Sequence, residues 1–149
     1  MGPGKMPWSI TCLAPVAAGL AFLVLGRPAA AETTLYADLG GKDGVTAIVG
    51  GMIDNALADD RIKQTFDDIN IPRLKGLLYE QFCMLTGGGC EYKRRSMHDS
   101  HAGLHLHEGD FNALVEDLEA SMDRQSIPWN TQVKLLALLA PMEPQVVTR

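Results

Sequence analysis

All four histidines of the chain fall between positions 98 and 107: His98, His101, His105 and His107. A neutral imidazole nitrogen is a common ligand for a metal ion or a haem iron. A structural zinc site would want about four N, S or O ligands, often from two separated pairs. His101 and His105 stand at i and i+4, but Gly103 lies between them and there is no second histidine pair. An axial bond to one iron would need only one of the four. Taken singly, each histidine reads more readily as a surface residue than as a ligand, so residue type alone does not choose.

The second group with chemistry is the pair Cys83 and Cys90. On one straight helix seven residues rise about 10.5 Å, too far for a bridge. Gly87-Gly88-Gly89 lies between them and can end a helix and turn the chain back. A disulfide and two buried free thiols both remain open.

The elements that must position these residues read almost entirely as helix. Val45, Ile48, Val49, Met52, Ile53 and Leu57 recur at helical spacing after Gly40-Gly41. Gly50-Gly51 within this stretch either weakens the helix or lets a neighbour approach closely. A short segment anchored by Ile62 and Phe66 follows. Asn70 is a candidate N-cap with Pro72 in the first turn, and Leu74, Leu77, Leu78, Phe82 and Leu85 form the inner stripe of the next helix. The triple glycine ends it. Residues 90–103 read as loop and short helix, stopped near Gly103. Phe111, Leu114, Val115, Leu118 and Met122 mark a further amphipathic helix starting near His107 or Glu108. Ser126 and Pro128 open the last, filled by Val133, Leu135, Leu136, Leu138 and Leu139 and stopped by Pro141. Alternating strand patterns are absent. The expected class is all-α, four main helices plus short ones, compatible with a four-helix bundle or a globin sandwich.

The 149 residues suit one domain, 46% of them hydrophobic, with a formal net charge of −5. With no basic tract, nucleic acid is not an expected partner. Residues 1–30 contain no Asp or Glu. Lys5 precedes an apolar run from Ile10 to Leu25, interrupted by Pro15, and Ala29-Ala30-Ala31 fits a small-x-small cleavage site. Residues 1–31 are therefore expected to be a signal peptide cleaved near Ala31, leaving a domain over 32–149 that is periplasmic or secreted and has no stable membrane anchor. The run is shorter than the roughly 20 residues a spanning helix wants. In an oxidising compartment a disulfide would persist.

Several segments together carry a family resemblance. Leu35-Tyr36-Ala37-Asp38-Leu39-Gly40-Gly41 resembles the opening motif of group I truncated haemoglobins, and Asp59-Asp60-Arg61-Ile62 their next landmark. Gly87-Gly88, Tyr92, Arg95, Met97 and His101-Ala102-Gly103-Leu104 follow in the family's order, as do Phe111 and the terminal Leu138-Leu139-Ala140-Pro141-Met142. The similarity spans nearly all of 35–147 and extends to an exported subgroup with a cysteine pair around the double glycine. It implies a truncated globin-like two-over-two helical sandwich holding haem b, since no Cys-x-x-Cys-His is present for covalent attachment. It implies His101 as proximal iron ligand, with Met97 on the same helix face and Phe66 packing on the haem. Ile53, Leu74, Leu78, Leu106, Phe111 and Leu114 would line the pocket, and Arg95 would face a propionate, or else be a solvated surface charge. His98 is the main competitor for the ligand role; His98, His105 and His107 read as surface residues.

The departures lie on the side facing the gas. Ile53 stands where the family usually has tyrosine, and Leu74, Leu77 and Leu78 where it often has glutamines or a histidine. Gln81 is the nearest polar candidate and Tyr79 a weaker one. Such an apolar pocket predicts weaker or shorter-lived oxygen binding than in a tyrosine-bearing relative, since a lost hydrogen bond costs about 0.5–1.5 kcal/mol. Arg94 stands ahead of the ligand helix where the family often has glycine. The expected function is reversible binding of a diatomic gas (oxygen, carbon monoxide or nitric oxide), with an electron donor the sequence does not identify. The alternatives are haem-dependent nitric oxide detoxification or peroxidase-like chemistry, which would want a polar group beside the gas, and a haem-free helical interaction domain.

Overall fold

The computed structural model describes residues 33–148. The expected signal peptide and its cleavage point lie outside these residues. Among them there is no strand, and no helix is long and apolar enough to cross a membrane.

The helices are α1 (Leu35–Asp38), α2 (Gly41–Ala58), α3 (Ile71–Leu85), α4 (Met97–His101), α5 (Glu108–Arg124), α6 (Trp129–Leu139) and α7 (Glu143–Val146), with 3₁₀ turns at Lys63–Phe66 and Ala140–Met142. The main packing is α2 on α5 and α2 on α3, with α5 also against α6. Two pairs of long helices, α2 with α3 and α5 with α6, thus enclose one core. Its centre is Val45, Ile48, Val49, Met52 and Ile53 from α2, meeting Phe82 from α3, Leu118 and Met122 from α5 and Leu135 from α6. Helices in proteins draw most of their stability from packing an amphipathic face, so this shared burial holds each in place.

Local signals set the helix ends. The Asn70 side chain accepts from the Arg73 N–H at 3.0 Å, so α3 starts where the cap and Pro72 direct. The backbone N–H of His107 donates to Asp110 Oδ2 at 2.8 Å, fixing the start of α5. Pro141 ends α6 as a regular helix but not the helical path. It occupies the first turn of the 3₁₀ segment, and Pro144 the first turn of α7, where a missing N–H costs nothing.

Gly51 serves the close-approach role. A Cβ there would collide with Ser121 Oγ, whose hydroxyl donates to the Ile48 carbonyl at 2.8 Å, so α2 and α5 cross at this point. Gly50 faces open space. Three residues expected in apolar stripes lie outward instead: Leu57, Val133 and Leu138 are exposed. Helical spacing marks a face wider than the one the neighbouring helices cover.

Cys83 and Cys90 form a disulfide with a Cα–Cα distance of 5.6 Å. Gly87 and Gly89 take positive φ, at +84° and +76°, and turn the chain back on α3. Gly88 lies between them with its N–H on the Cys83 carbonyl, so close to Cys83 and the Tyr36 ring that a Cβ would strike both.

Candidate functional site

A cavity of about 530 Å³ opens between α2, α3, α4 and α5, with α7 and the 3₁₀ segments closing its edges. That volume falls within the range of small-molecule and cofactor sites. Its walls are mostly apolar. Ile53 and Met52 come from α2, Phe66 from the first 3₁₀ turn, Leu74, Leu77, Leu78 and Phe82 from α3, and Phe111, Leu114 and Leu118 from α5. The polar lining is sparse: Gln81, Tyr92, Arg73, His101 and a few rim groups.

His101 is the one histidine in this lining. It ends the short helix α4, whose N-terminus is capped by the Ser96 side chain accepting from the Asp99 N–H at 3.0 Å. His101 Nδ1 lies 2.8 Å from the Met97 carbonyl oxygen. A carbonyl only accepts, so Nδ1 carries the hydrogen, and in the neutral ring Nε2 is the nitrogen with the lone pair. Nε2 has no protein hydrogen bond among the described residues. This tautomer suits a ligand nitrogen, and the second bond that orients the ring is already made. His98, His105 and His107 are exposed and outside the cavity lining, and no group of metal-ligating side chains suited to zinc forms among the described residues.

Nine of the ten residues expected at the pocket border this cavity: Ile53, Phe66, Leu74, Leu78, Met97, His101, Leu106, Phe111 and Leu114. Arg95 does not. It is exposed and outside the lining, while Arg73 from the first turn of α3 is the guanidinium in the lining. Sequence reasoning missed Arg73. The signal available was its position one residue before Leu74, which puts it beside the stripe.

Of the two polar candidates, Gln81 borders the cavity, but its Nε2 donates to Met142 Sδ at 3.4 Å, a weak acceptor. Tyr79 is outside the lining. Its hydroxyl pairs with that of Tyr36 at 2.9 Å, and this bond, with burial, raises the Tyr36 phenol above its usual range. Tyr92, a half-buried phenol, lines the cavity and was not expected there. Arg94 makes a bidentate pair with Glu80 of α3, at 3.0 to 3.2 Å. The departure from glycine thus ties the loop ahead of α4 to α3.

A profile of the bacterial-like globins matches residues 34–148, most of the chain. The chain belongs to the bacterial-like globins. Among them it is similar to the group 1 truncated haemoglobins. One from Tetrahymena thermophila is 32% identical over 91 residues, covering 61% of this chain and 75% of that one. One from Mycolicibacterium paratuberculosis is 27% identical over 126 residues, covering 84% and 93%. The fold of this globin also matches solved structures. A truncated haemoglobin of Tetrahymena pyriformis in its Fe(III) form superposes with a TM-score of 0.75 at 24% identity, over 78% of this chain and all of that one. A Synechococcus 2/2 haemoglobin, described as carrying covalently attached haem, superposes at 0.74 and 22% identity over the same shares. The two-over-two helical sandwich is therefore the architecture of this globin.

The residues present fit a haem. Its flat apolar macrocycle needs a wide apolar slot, its iron needs one neutral imidazole nitrogen, and its two carboxylates need solvent or a cation. The cavity walls, His101 Nε2 and the exposed Arg73 meet these in turn.

Proposed function

We propose that this haem-binding globin reversibly binds a diatomic gas, and that His101 Nε2 would hold the iron of a non-covalently bound haem. Haem supplies the iron that takes up the gas; the chain's residues do the rest. The observation that carries the reading is the contact of His101 Nδ1 with the Met97 carbonyl, which leaves Nε2 without a protein partner among the described residues at the edge of an apolar cavity. A cavity of about 530 Å³ with mostly apolar walls is the shape and size of a small-molecule or cofactor site, which favours a resident group over a haem-free interaction domain.

Met97, Phe66, Phe111 and Leu114 exclude water from the slot. Arg73, in the lining where Arg95 is not, is the cation available to a haem carboxylate. In the lining, Ile53 and the leucines of α3 offer no donor, and Gln81 Nε2 spends one N–H on Met142 Sδ. That composition favours gas binding over oxygen-activating enzymology and predicts short-lived retention of oxygen, with carbon monoxide and nitric oxide less affected. Keeping the iron ferrous calls for an electron donor. The Cys83–Cys90 disulfide supports export to the periplasm or beyond, with residues 1–31 as a cleaved leader.

The test is an absorption spectrum of residues 32–149 as ferric, ferrous and ferrous carbon monoxide forms, beside His101→Ala. A Soret band in the parent that is lost or shifted in the variant is the expected result. No Soret band after adding hemin would overturn the reading.

A further inference from the structure

The segment that carries His101 is held to the rest of the fold at its two ends. Upstream, the disulfide and the Glu80–Arg94 ion pair tie it to α3. Between residues 95 and 106 its other hydrogen bonds are internal: Ser96 with Asp99 and Ser100, Met97 with His101, His101 with Leu104. Downstream stands a reciprocal pair of bonds. The Leu106 N–H donates to Thr148 Oγ1 at 3.1 Å, and the Thr148 N–H donates to the Leu106 carbonyl at 3.0 Å.

We propose that Thr148 is a positioning residue for His101, acting through its paired hydrogen bonds with Leu106. The inference rests on the reading of His101 as haem ligand. Its physical ground is the loop between them. Gly103 has φ +82° and His105 φ +55°, so the chain turns sharply twice within five residues of His101. A non-glycine residue in the left-handed region costs free energy and persists only where its surroundings impose it. The Leu106–Thr148 pair is the restraint present at that end of the loop. The strap that delivers Thr148 also contributes to the cavity wall: Val146 from α7 and Met142 from the preceding turn line it, and α7 packs on α4. Leu106 itself lines the cavity. One device thus closes the cavity edge and fixes the loop that sets the imidazole.

The experiment compares the haem-loaded parent with Thr148→Val, which keeps the shape and removes the acceptor, and Thr148→Ser, which restores it. Three readouts are taken: the iron–histidine stretching band of the ferrous form by resonance Raman, the rate of haem transfer to excess apomyoglobin, and amide hydrogen exchange at Leu106. Thr148→Val is expected to shift the band and to speed haem loss and exchange about two- to tenfold, the effect of one hydrogen bond, with Thr148→Ser close to the parent. A purely structural role would lower the melting temperature and leave the band in place, overturning the proposal. So would a variant identical to the parent in all three. A parent that takes up no haem would instead overturn the ligand reading, and this inference with it.

Discussion

The Nδ1 of His101 sits 2.8 Å from the Met97 carbonyl oxygen, one helical turn back in the same five-residue helix. The short helix therefore orients its own terminal imidazole and fixes which nitrogen is free. His101→Gly is expected to weaken haem binding at least about tenfold, from loss of the ligand bond, and added imidazole is expected to restore the parent's absorption spectrum. A spectrum unchanged by the substitution would transfer the ligand role to another residue.

Ile53 is buried and lines the cavity, where under the proposed function a hydroxyl would face the gas. Ile53→Tyr is expected to slow oxygen dissociation about five- to tenfold, the worth of one hydrogen bond to a group carrying partial charge, while carbon monoxide dissociation changes less. Stopped-flow dissociation rates for the two gases check this. Equal slowing of both would point to a blocked exit path instead.

Asp117 lies buried on α5, and its Oδ2 has no hydrogen-bond partner. Burial pushes its carboxyl above the usual range; Asp59 and Glu116 add to this, and Arg61 and Arg124 oppose it. A carboxyl raised in the folded state binds more protons there than when unfolded. Its contribution is thus favourable at low pH and is lost as pH rises from the unfolded value through the folded one. Asp117→Asn is expected to raise the melting temperature by a few degrees at pH 7 and by less at pH 4. Thermal melts at the two pH values decide it, and a larger gain at pH 4 would reverse the sign argued here.

The disulfide closes a short loop, so Cys83→Ser with Cys90→Ser is expected to cost about 2–3 kcal/mol of unfolding free energy. Denaturant titration measures the loss. A thiol count on denatured, unreduced residues 32–149 should find no free thiol; two free thiols would remove the bridge and with it the support for export.

Gly51 has no room for a methyl group beside Ser121. Gly51→Ala is expected to destabilise the fold by about 1–3 kcal/mol, although alanine is the better helix former, because the crossing of α2 and α5 must widen. Gly50→Ala, facing open space, should be neutral or stabilising, and the same titration separates the two.

The sequence by itself determined the helices and the family. Caps, prolines and glycines act over a few residues, so Asn70, Pro72, Gly87 and Gly103 could be read where they stand. His101 could be singled out because its neighbours carried a resemblance, and the apolar residues expected beside it line one cavity because apolar stripes must face inward. What depends on distant partners was left to the tertiary structure. Arg73, not Arg95, reached the cavity, since a long side chain's direction depends on the helices around it. Leu57, Val133 and Leu138 fell outside the covered face. The disulfide was feasible from Gly87–Gly89 but decided only by the turn they adopt. Thr148 stands 42 residues from Leu106, and no local pattern records a bond across such a separation. Periodicity reports which face is buried; only packing says against what.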